Sequence, residues 1–241
     1  FKMYLQPQIS AKTRRLTGAE ALVRRIKPDG TIISPIDFIP VYEKSGLISR
    51  LDRYIWEQAA AKLGEWKKAG INMSISVNIS PKDFYYIDIF NTFAGLIKKY
   101  DIEPSNLKIE ITETTIMSDV PNLMGELEEL RKAGFTLEMD DFGSGYSSLN
   151  TLKDINVDVL KVDMGFIKET KNVKKSRIIL ASVIKMAKEL NLLIITEGVE
   201  TEEQVDNLTK LGCDVFQGYY FSKAIDVNEF EKRYLYRKKA G

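Results

Sequence analysis

Leu107-Lys108-Ile109-Glu110-Ile111, Thr136-Leu137-Glu138-Met139 and Val159-Leu160-Lys161-Val162 are three short apolar runs, and the way they are separated decides the fold. Between the first two lies Pro121 to Ala133, with leucines at helical spacing, closing on Lys132-Ala133-Gly134. A basic last turn there meets a glycine able to take the left-handed cap. Strand, helix and strand in that order form the unit of a mostly parallel sheet with crossover helices.

Working outward, the same pattern predicts strands near Met3 to Ile9, Thr17 to Val23, Met73 to Ile79, Leu193 to Thr196 and Val215 to Phe216, eight in all with the first three. Helices are predicted near Ile36 to Lys44, Leu51 to Ala69, Ile89 to Tyr100, Lys174 to Leu190 and Thr201 to Leu211, with a closing helix near Val227 to Tyr236. Lys210-Leu211-Gly212 repeats the basic-turn-then-glycine ending. Eight strands with intervening helices point to an α/β fold, a TIM-like (β/α)8 barrel, with an open doubly wound sheet as the rival from periodicity alone. Ser10 to Leu16 is too short for a crossover helix, so the first strand should run antiparallel to the second.

The 241 residues suit one domain, 1–241, with a single core. Its start in strand-like sequence and its basic end at Arg237-Lys238-Lys239 suit a module excised from something longer. The 35 basic and 34 acidic residues leave a net charge of +1, so no global field favours DNA, RNA or an anionic membrane surface. No apolar run is long enough to span a bilayer. Cys213 is alone, which excludes an internal disulfide and a cysteine zinc site and suits a reducing, cytoplasmic setting, including the cytoplasmic module of a membrane-anchored protein. Histidine is absent, so chemistry here must run on carboxylates, lysine and hard metal ions.

The strand ends carry polar groups: Glu20, Asn78, Glu110, Asp140-Asp141, Lys161 with Asp163, and Glu197. In a barrel these ends converge on one mouth, where such folds keep their chemistry. Clustered carboxylates repel unless cations intervene, and oxygen ligands in this number suit magnesium, manganese or calcium; two ions sharing a carboxylate suit displacement at phosphorus. The bland reading of each residue alone is a solvated strand end or helix cap. Asp141-Phe142-Gly143-Ser144-Gly145-Tyr146-Ser147-Ser148 is a glycine-rich loop without the spacing of a Walker or dinucleotide motif, readable as a tight turn, with Ser147 or Ser148 capping the next helix, or as a phosphate cradle. In Arg24-Arg25-Ile26-Lys27, Arg24 could grip a phosphate, whereas Arg25 and Lys27 read as solvated charge.

Glu20-Ala21-Leu22-Val23-Arg24, Ser76-Val77-Asn78-Ile79-Ser80, Glu110-Ile111-Thr112-Glu113, Asp140-Asp141-Phe142-Gly143, Leu160-Lys161-Val162-Asp163 and Glu197-Gly198-Val199-Glu200, taken in order, resemble the EAL-domain cyclic di-GMP phosphodiesterases. The likeness runs from Tyr4-Leu5-Gln6-Pro7 to Gln217-Gly218-Tyr219-Tyr220-Phe221-Ser222. It implies hydrolysis of cyclic di-GMP (c-di-GMP) to linear pGpG with two divalent cations, Mg2+ or Mn2+, and inhibition by Ca2+. It implies that Glu20, Asn78, Glu110 and Asp140 hold one ion, and that Asp140, Asp141 and Glu197 hold the other. Lys161 would contact the attacking water, with Glu197 a second candidate for acting on it, and Gln6, Leu22, Arg24, Asp163 and Gln217 would surround the substrate. Glu113 and Glu200 would be supporting residues, Glu113 bracing the loop after Asp141 through which a homodimer would form. Arg25, Lys27, Ser144, Met164-Gly165, Thr196 and Ala224 depart from the family's usual residues without removing a ligand. The other readings are a catalytically silent c-di-GMP receptor and an unrelated barrel metalloenzyme acting on a carbon acid.

Overall fold

The computed structural model describes residues 1–118, 120–143, 148–165 and 173–236. Among the described residues there are ten strands: β1 Lys2–Ser10, β2 Leu16–Ile26, β3 Ile32–Ile33, β4 Ile75–Ile79, β5 Leu107–Thr112, β6 Leu137–Asp140, β7 Val159–Asp163, β8 Leu193–Glu197, β9 Val215–Phe216 and β10 Ile225–Asp226. Strands β2, β4, β5, β6, β7, β8 and β9 pair in parallel succession, and β1 closes the circle by pairing antiparallel with both β2 and β9. The result is an eight-stranded mixed barrel with the antiparallel first strand that the short Ser10 to Leu16 connection predicts. The two-residue strands β3 and β10 are hydrogen-bonded outside this circle, to β2 and β1.

Alternation along the strands separates two environments. In β4 and β5, Ile75, Val77, Ile79, Leu107, Ile109 and Ile111 are buried, and they alternate with Ser76, Asn78, Lys108 and Glu110. Side chains one residue apart lie on opposite faces, so the apolar set meets the surrounding helices while the polar set faces the barrel axis. The barrel therefore has an apolar outer seam and a polar interior near its mouth.

The helices follow the predicted spans within a few residues: Pro35–Ser45, Ile48–Lys68, Ile89–Tyr100, Leu123–Lys132, Val173–Glu189 and Glu202–Leu211. Gly134 and Gly212 take φ of 92° and 96°, the left-handed ends foreseen for two of them. Thr201 and Gln204 form a reciprocal capping box at the last. The closing helix is not continuous. Val227–Phe230 is α-helical and Glu231–Leu235 widens to a π turn, with Tyr236 N–H donating to Glu231 O at 2.9 Å. Trp66 Nε1 donates to the Glu231 carboxylate at 2.8 Å, which holds that turn against the helix Ile48–Lys68.

Two anchors bear on the mouth. Trp56, fully buried and 4.9 Å from the Phe93 ring, donates its indole N–H to Asn78 O at 2.9 Å, tying a helix to the end of β4. Thr196 Oγ1 lies 3.1 Å from the buried Cys213 Sγ and joins β8 to the turn before β9. Among the described residues no helix is long and apolar enough to cross a membrane.

Candidate active site

At the carboxyl ends of the strands the Lys161 side chain, 1% exposed, stands among four carboxylates drawn from four other strands. Its Nζ lies 2.9 Å from Glu110, 2.9 Å from Glu197, 3.2 Å from Asp140 and 3.7 Å from Glu20. Asn78 donates to Glu20 Oε1 at 3.2 Å, and Gln217 donates to the other Glu20 oxygen. Gln217 also donates to Gln6 at 3.3 Å. Asp141 turns away from the strand with φ of 57°, and its N–H donates to Asp140 Oδ1 at 2.9 Å. Residues separated by nearly two hundred positions thus become neighbours, as the barrel reading requires.

Burial, reinforced by the charge of Glu20, holds the Glu110 carboxyl well above the usual carboxylate range. Burial pushes Glu197 up to about 8, with Lys161 opposing and Asp140 adding to the rise. Burial also works to strip the Lys161 proton, but the carboxylates of Asp140, Glu110, Glu197 and Glu20 outweigh it and hold the ammonium well above an ordinary lysine. Lys161 is therefore the resident cation of the cluster at neutral pH.

Among the described residues no three acidic side chains form a ready-made ion site, and the Lys161 ammonium lies between Glu110, Asp140 and Glu197. The donor set nevertheless fits hard cations. Both oxygens of Glu110 and one of Glu197 are buried without a hydrogen bond, and Glu110 Oε2 and Glu197 Oε1 meet Lys161 as ion pairs. Oxygens so placed are costly to leave unsatisfied, and carboxylate and amide oxygens are what magnesium or manganese prefers.

Beside the cluster opens a cavity of about 390 Å³ whose walls include Gln6, Leu22, Asp163, Glu200 and Gln217, with Glu20 and Glu197 at its edge. Gly198, at φ of 67°, brings the chain over it; a Cβ there would come within 3.1 Å of Asp163 Oδ1. Across Leu22 lies a second hollow of about 370 Å³ that includes Arg24, Pro35, Asp52 and Asn78. Arg24 is half-buried, which lowers its pKa, and one guanidinium nitrogen donates to Val23 O at 2.8 Å, leaving its other donors for a ligand.

The chain matches the EAL domain family over residues 1–224. It belongs to that family. The signaling protein YkoW of Bacillus subtilis is 37% identical over 232 residues, which cover 96% of this chain and 29% of YkoW. The bifunctional diguanylate cyclase/cyclic di-GMP phosphodiesterase MucR of Pseudomonas aeruginosa is 34% identical over 94% of this chain and 33% of MucR. This EAL domain thus spans about a third of the length of these curated relatives. Among solved structures, the c-di-GMP complex of the PaMucR phosphodiesterase superposes with a TM-score of 0.88 at 34% identity, covering 95% of this chain and 93% of that one.

The EAL domain brings Glu20, Asn78, Glu110, Asp140, Lys161 and Glu197 together, and lines a cavity next to them with Gln6, Leu22, Asp163, Glu200 and Gln217. Glu113 lies just past the end of β5. The strand runs on to Thr112, whose Oγ1 accepts from Thr115 N–H at 3.2 Å, and fully buried Glu113 begins the short helix Glu113–Ile116. Ser144, Gly145 and Ser147 of the glycine-rich loop, the side chain of Ser148 and the basic end at Arg237-Lys238-Lys239 lie outside the described residues.

Sequence reasoning missed Gln8, which is buried and donates to Gln217 Oε1 at 3.2 Å, leaving the Gln217 amino group to face Glu20. Its spacing two residues after Gln6 on one strand face was the available signal. Asp52 and Asp83 were missed as well. Burial and the neighbouring Asp83 push Asp52 up to about 9, and burial pushes Asp83 up to about 6 even though Ser80 N–H donates to it at 2.8 Å. Both carboxyls hold protons more tightly than in an unfolded chain, where aspartate titrates near about 3.9. The stability they lend is complete below about pH 4 and is lost as pH climbs through about 6 and then about 9. Asp52→Asn should therefore flatten the fall in melting temperature between pH 6 and 9 while leaving pH 4 unchanged. A fall as steep as in the unaltered chain would place its cause elsewhere.

Proposed function

We propose that this EAL domain is a phosphodiesterase that hydrolyses c-di-GMP to linear pGpG with two divalent cations, Mg2+ or Mn2+, and that Ca2+ inhibits it. The observation that carries the reading is the ring of Glu20, Glu110, Asp140 and Glu197 around Lys161, opening on a cavity walled by Gln6, Leu22, Asp163 and Gln217. Glu20, Asn78, Glu110 and Asp140 would hold one ion, and Asp140, Asp141 and Glu197 the other. When bound, the ions supply Lewis acidity that eases deprotonation of water and neutralises charge on the phosphoryl oxygens.

The chain's own groups divide the remaining work. Lys161, standing among these carboxylates, would contact the attacking water and orient it. Glu197, beside Lys161 and at the edge of the cavity, is the carboxylate placed to take a proton from that water. Arg24 grips a phosphate, and Gln6, Asp163 and Gln217 seat the nucleotide against Leu22. Water oxygen bonds to phosphorus, the P–O bond to one sugar 3′-oxygen breaks, that oxygen takes up a proton, and pGpG results. Glu113 braces the loop after Asp141, a homodimer forms through that loop, and Glu200 supports the cavity wall. The domain works in the cytoplasm, in keeping with its free thiol, with no nucleic-acid or membrane contact of its own.

The decisive test is incubation of the purified chain with c-di-GMP and Mg2+ or Mn2+, followed by separation of nucleotides. The expected result is pGpG with either ion and none with a chelator. Intact c-di-GMP in every tube, with binding retained, would make the domain a receptor.

A further inference from the structure

One buried acid has no part in the chemistry above. Glu138, on β6, is fully buried in the barrel interior, and each of its oxygens has a separate partner. Lys108 Nζ on β5 donates to Oε1 at 2.9 Å, and Ser76 Oγ on β4 donates to Oε2 at 2.8 Å. Lys108 is itself mostly buried, 19% exposed at its side chain. One carboxylate therefore ties together three consecutive strands of the wall.

Those three strands carry Asn78, Glu110 and Asp140, and in each the ligand lies two residues beyond the tie: Ser76 to Asn78, Lys108 to Glu110, Glu138 to Asp140. Residues two apart share a strand face and stand about 7 Å apart along it. In register, Ser76 faces Lys108, Asn78 faces Glu110 and Glu110 faces Glu138. The tie is the layer of the barrel interior directly beneath the ligands. Barrel interiors are ordinarily filled by branched apolar side chains, and a buried ion pair holds no general stability advantage over such filling. What the pair adds is direction, since its geometry is met at only one relative placement of the strands.

We infer that Glu138, clamped by Lys108 and Ser76, is a positioning residue that fixes the spacing of β4, β5 and β6 so that Asn78, Glu110 and Asp140 converge on one ion. The inference rests on the proposed metal-dependent reading. Removing partners that orient metal ligands typically costs about 10–100-fold in metal affinity.

The experiment compares the unaltered chain with Glu138→Gln and with the double variant Lys108→Met/Glu138→Met. Mn2+ binding is read from the electron paramagnetic resonance signal of the free ion, melting temperature from the ion-free proteins, and kcat and KM from c-di-GMP hydrolysis. The double variant removes both charges together, so its ion-free melting temperature should stay near that of the unaltered chain while Mn2+ affinity falls about tenfold or more. KM for c-di-GMP at saturating Mn2+ should not move, because Gln6, Arg24 and Gln217 are untouched. Should the double variant not fold, Glu138→Gln, which keeps the shape and one carbonyl oxygen to accept from Lys108 but removes the counter-charge, is expected to weaken Mn2+ several-fold. Unchanged Mn2+ affinity in whichever variants fold would overturn the inference and leave the proposed function standing. An unaltered chain that binds no Mn2+ would overturn both.

Discussion

Asp140→Asn is expected to lower c-di-GMP hydrolysis by about three orders of magnitude while leaving the barrel folded. Asp140 is the carboxylate proposed to be shared by the two ions, and it stands 3.2 Å from Lys161 at the centre of the cluster. The amide keeps the shape and can still accept the Asp141 N–H that Asp140 now holds at 2.9 Å. It removes one negative charge from a site where burial and mutual repulsion already push Glu110 and Glu197 upward. The ion-free melting temperature should therefore be equal or slightly higher, and the loss should appear in Mn2+ occupancy and kcat. Wild-type turnover in this variant would remove Asp140 from the mechanism.

Lys161→Met should be the most destabilising of the substitutions considered. It leaves the buried carboxylates of Glu20, Glu110, Asp140 and Glu197 without their common counter-ion. Breaking a buried pair by removing one partner costs about 3–5 kcal/mol, roughly 10 °C in melting temperature for a domain of this size. The deficit depends on pH with a definite sign. Carboxyls raised in the folded state lend stability that is complete below their unfolded value, about 4.3 for glutamate, and that is lost as pH rises through the folded one. Glu197 already stands at about 8, and without the ammonium it rises further. The fall in melting temperature should be small at pH 5.5, large at pH 8.5, and reversed in part by Mn2+, with turnover abolished throughout. An unchanged melting temperature at pH 8.5 would show that the cluster is neutralised by something other than Lys161.

Much of this was readable from residues alone because the barrel repeats one simple rule. A short apolar run, a polar group at its carboxyl end and a helix closing on glycine recur around the circle, so Glu110, Lys161 and Glu197 announce themselves by position. The short Ser10 to Leu16 link likewise forced β1 to run against β2. What stayed hidden has physical reasons. Lys108 and Glu138 look in one dimension like any charged residues on a solvated strand face, because their burial depends on the curvature that closes the sheet. Asp52 sits in an amphipathic helix where an acid ordinarily points to water. Glu113–Ile116 is too short to show a helical period, and the π turn at Glu231–Leu235 depends on Trp66, far away in the chain. The central place of Lys161 also had to be seen, since which carboxylates a lysine meets is a matter of three dimensions.

Cys213 gives the barrel a built-in reporter. Burial pushes its thiol up to about 11, and it is shielded where β8 meets the turn before β9. Thiolate is the reactive form, so in the closed barrel this group is inert to alkylating reagents. The sequence holds no other cysteine, and every thiol adduct formed on the unmodified chain must come from a molecule whose wall has opened beside β9. Rates of alkylation therefore count the openings of one seam of the cylinder, with no label to introduce and no second thiol to subtract.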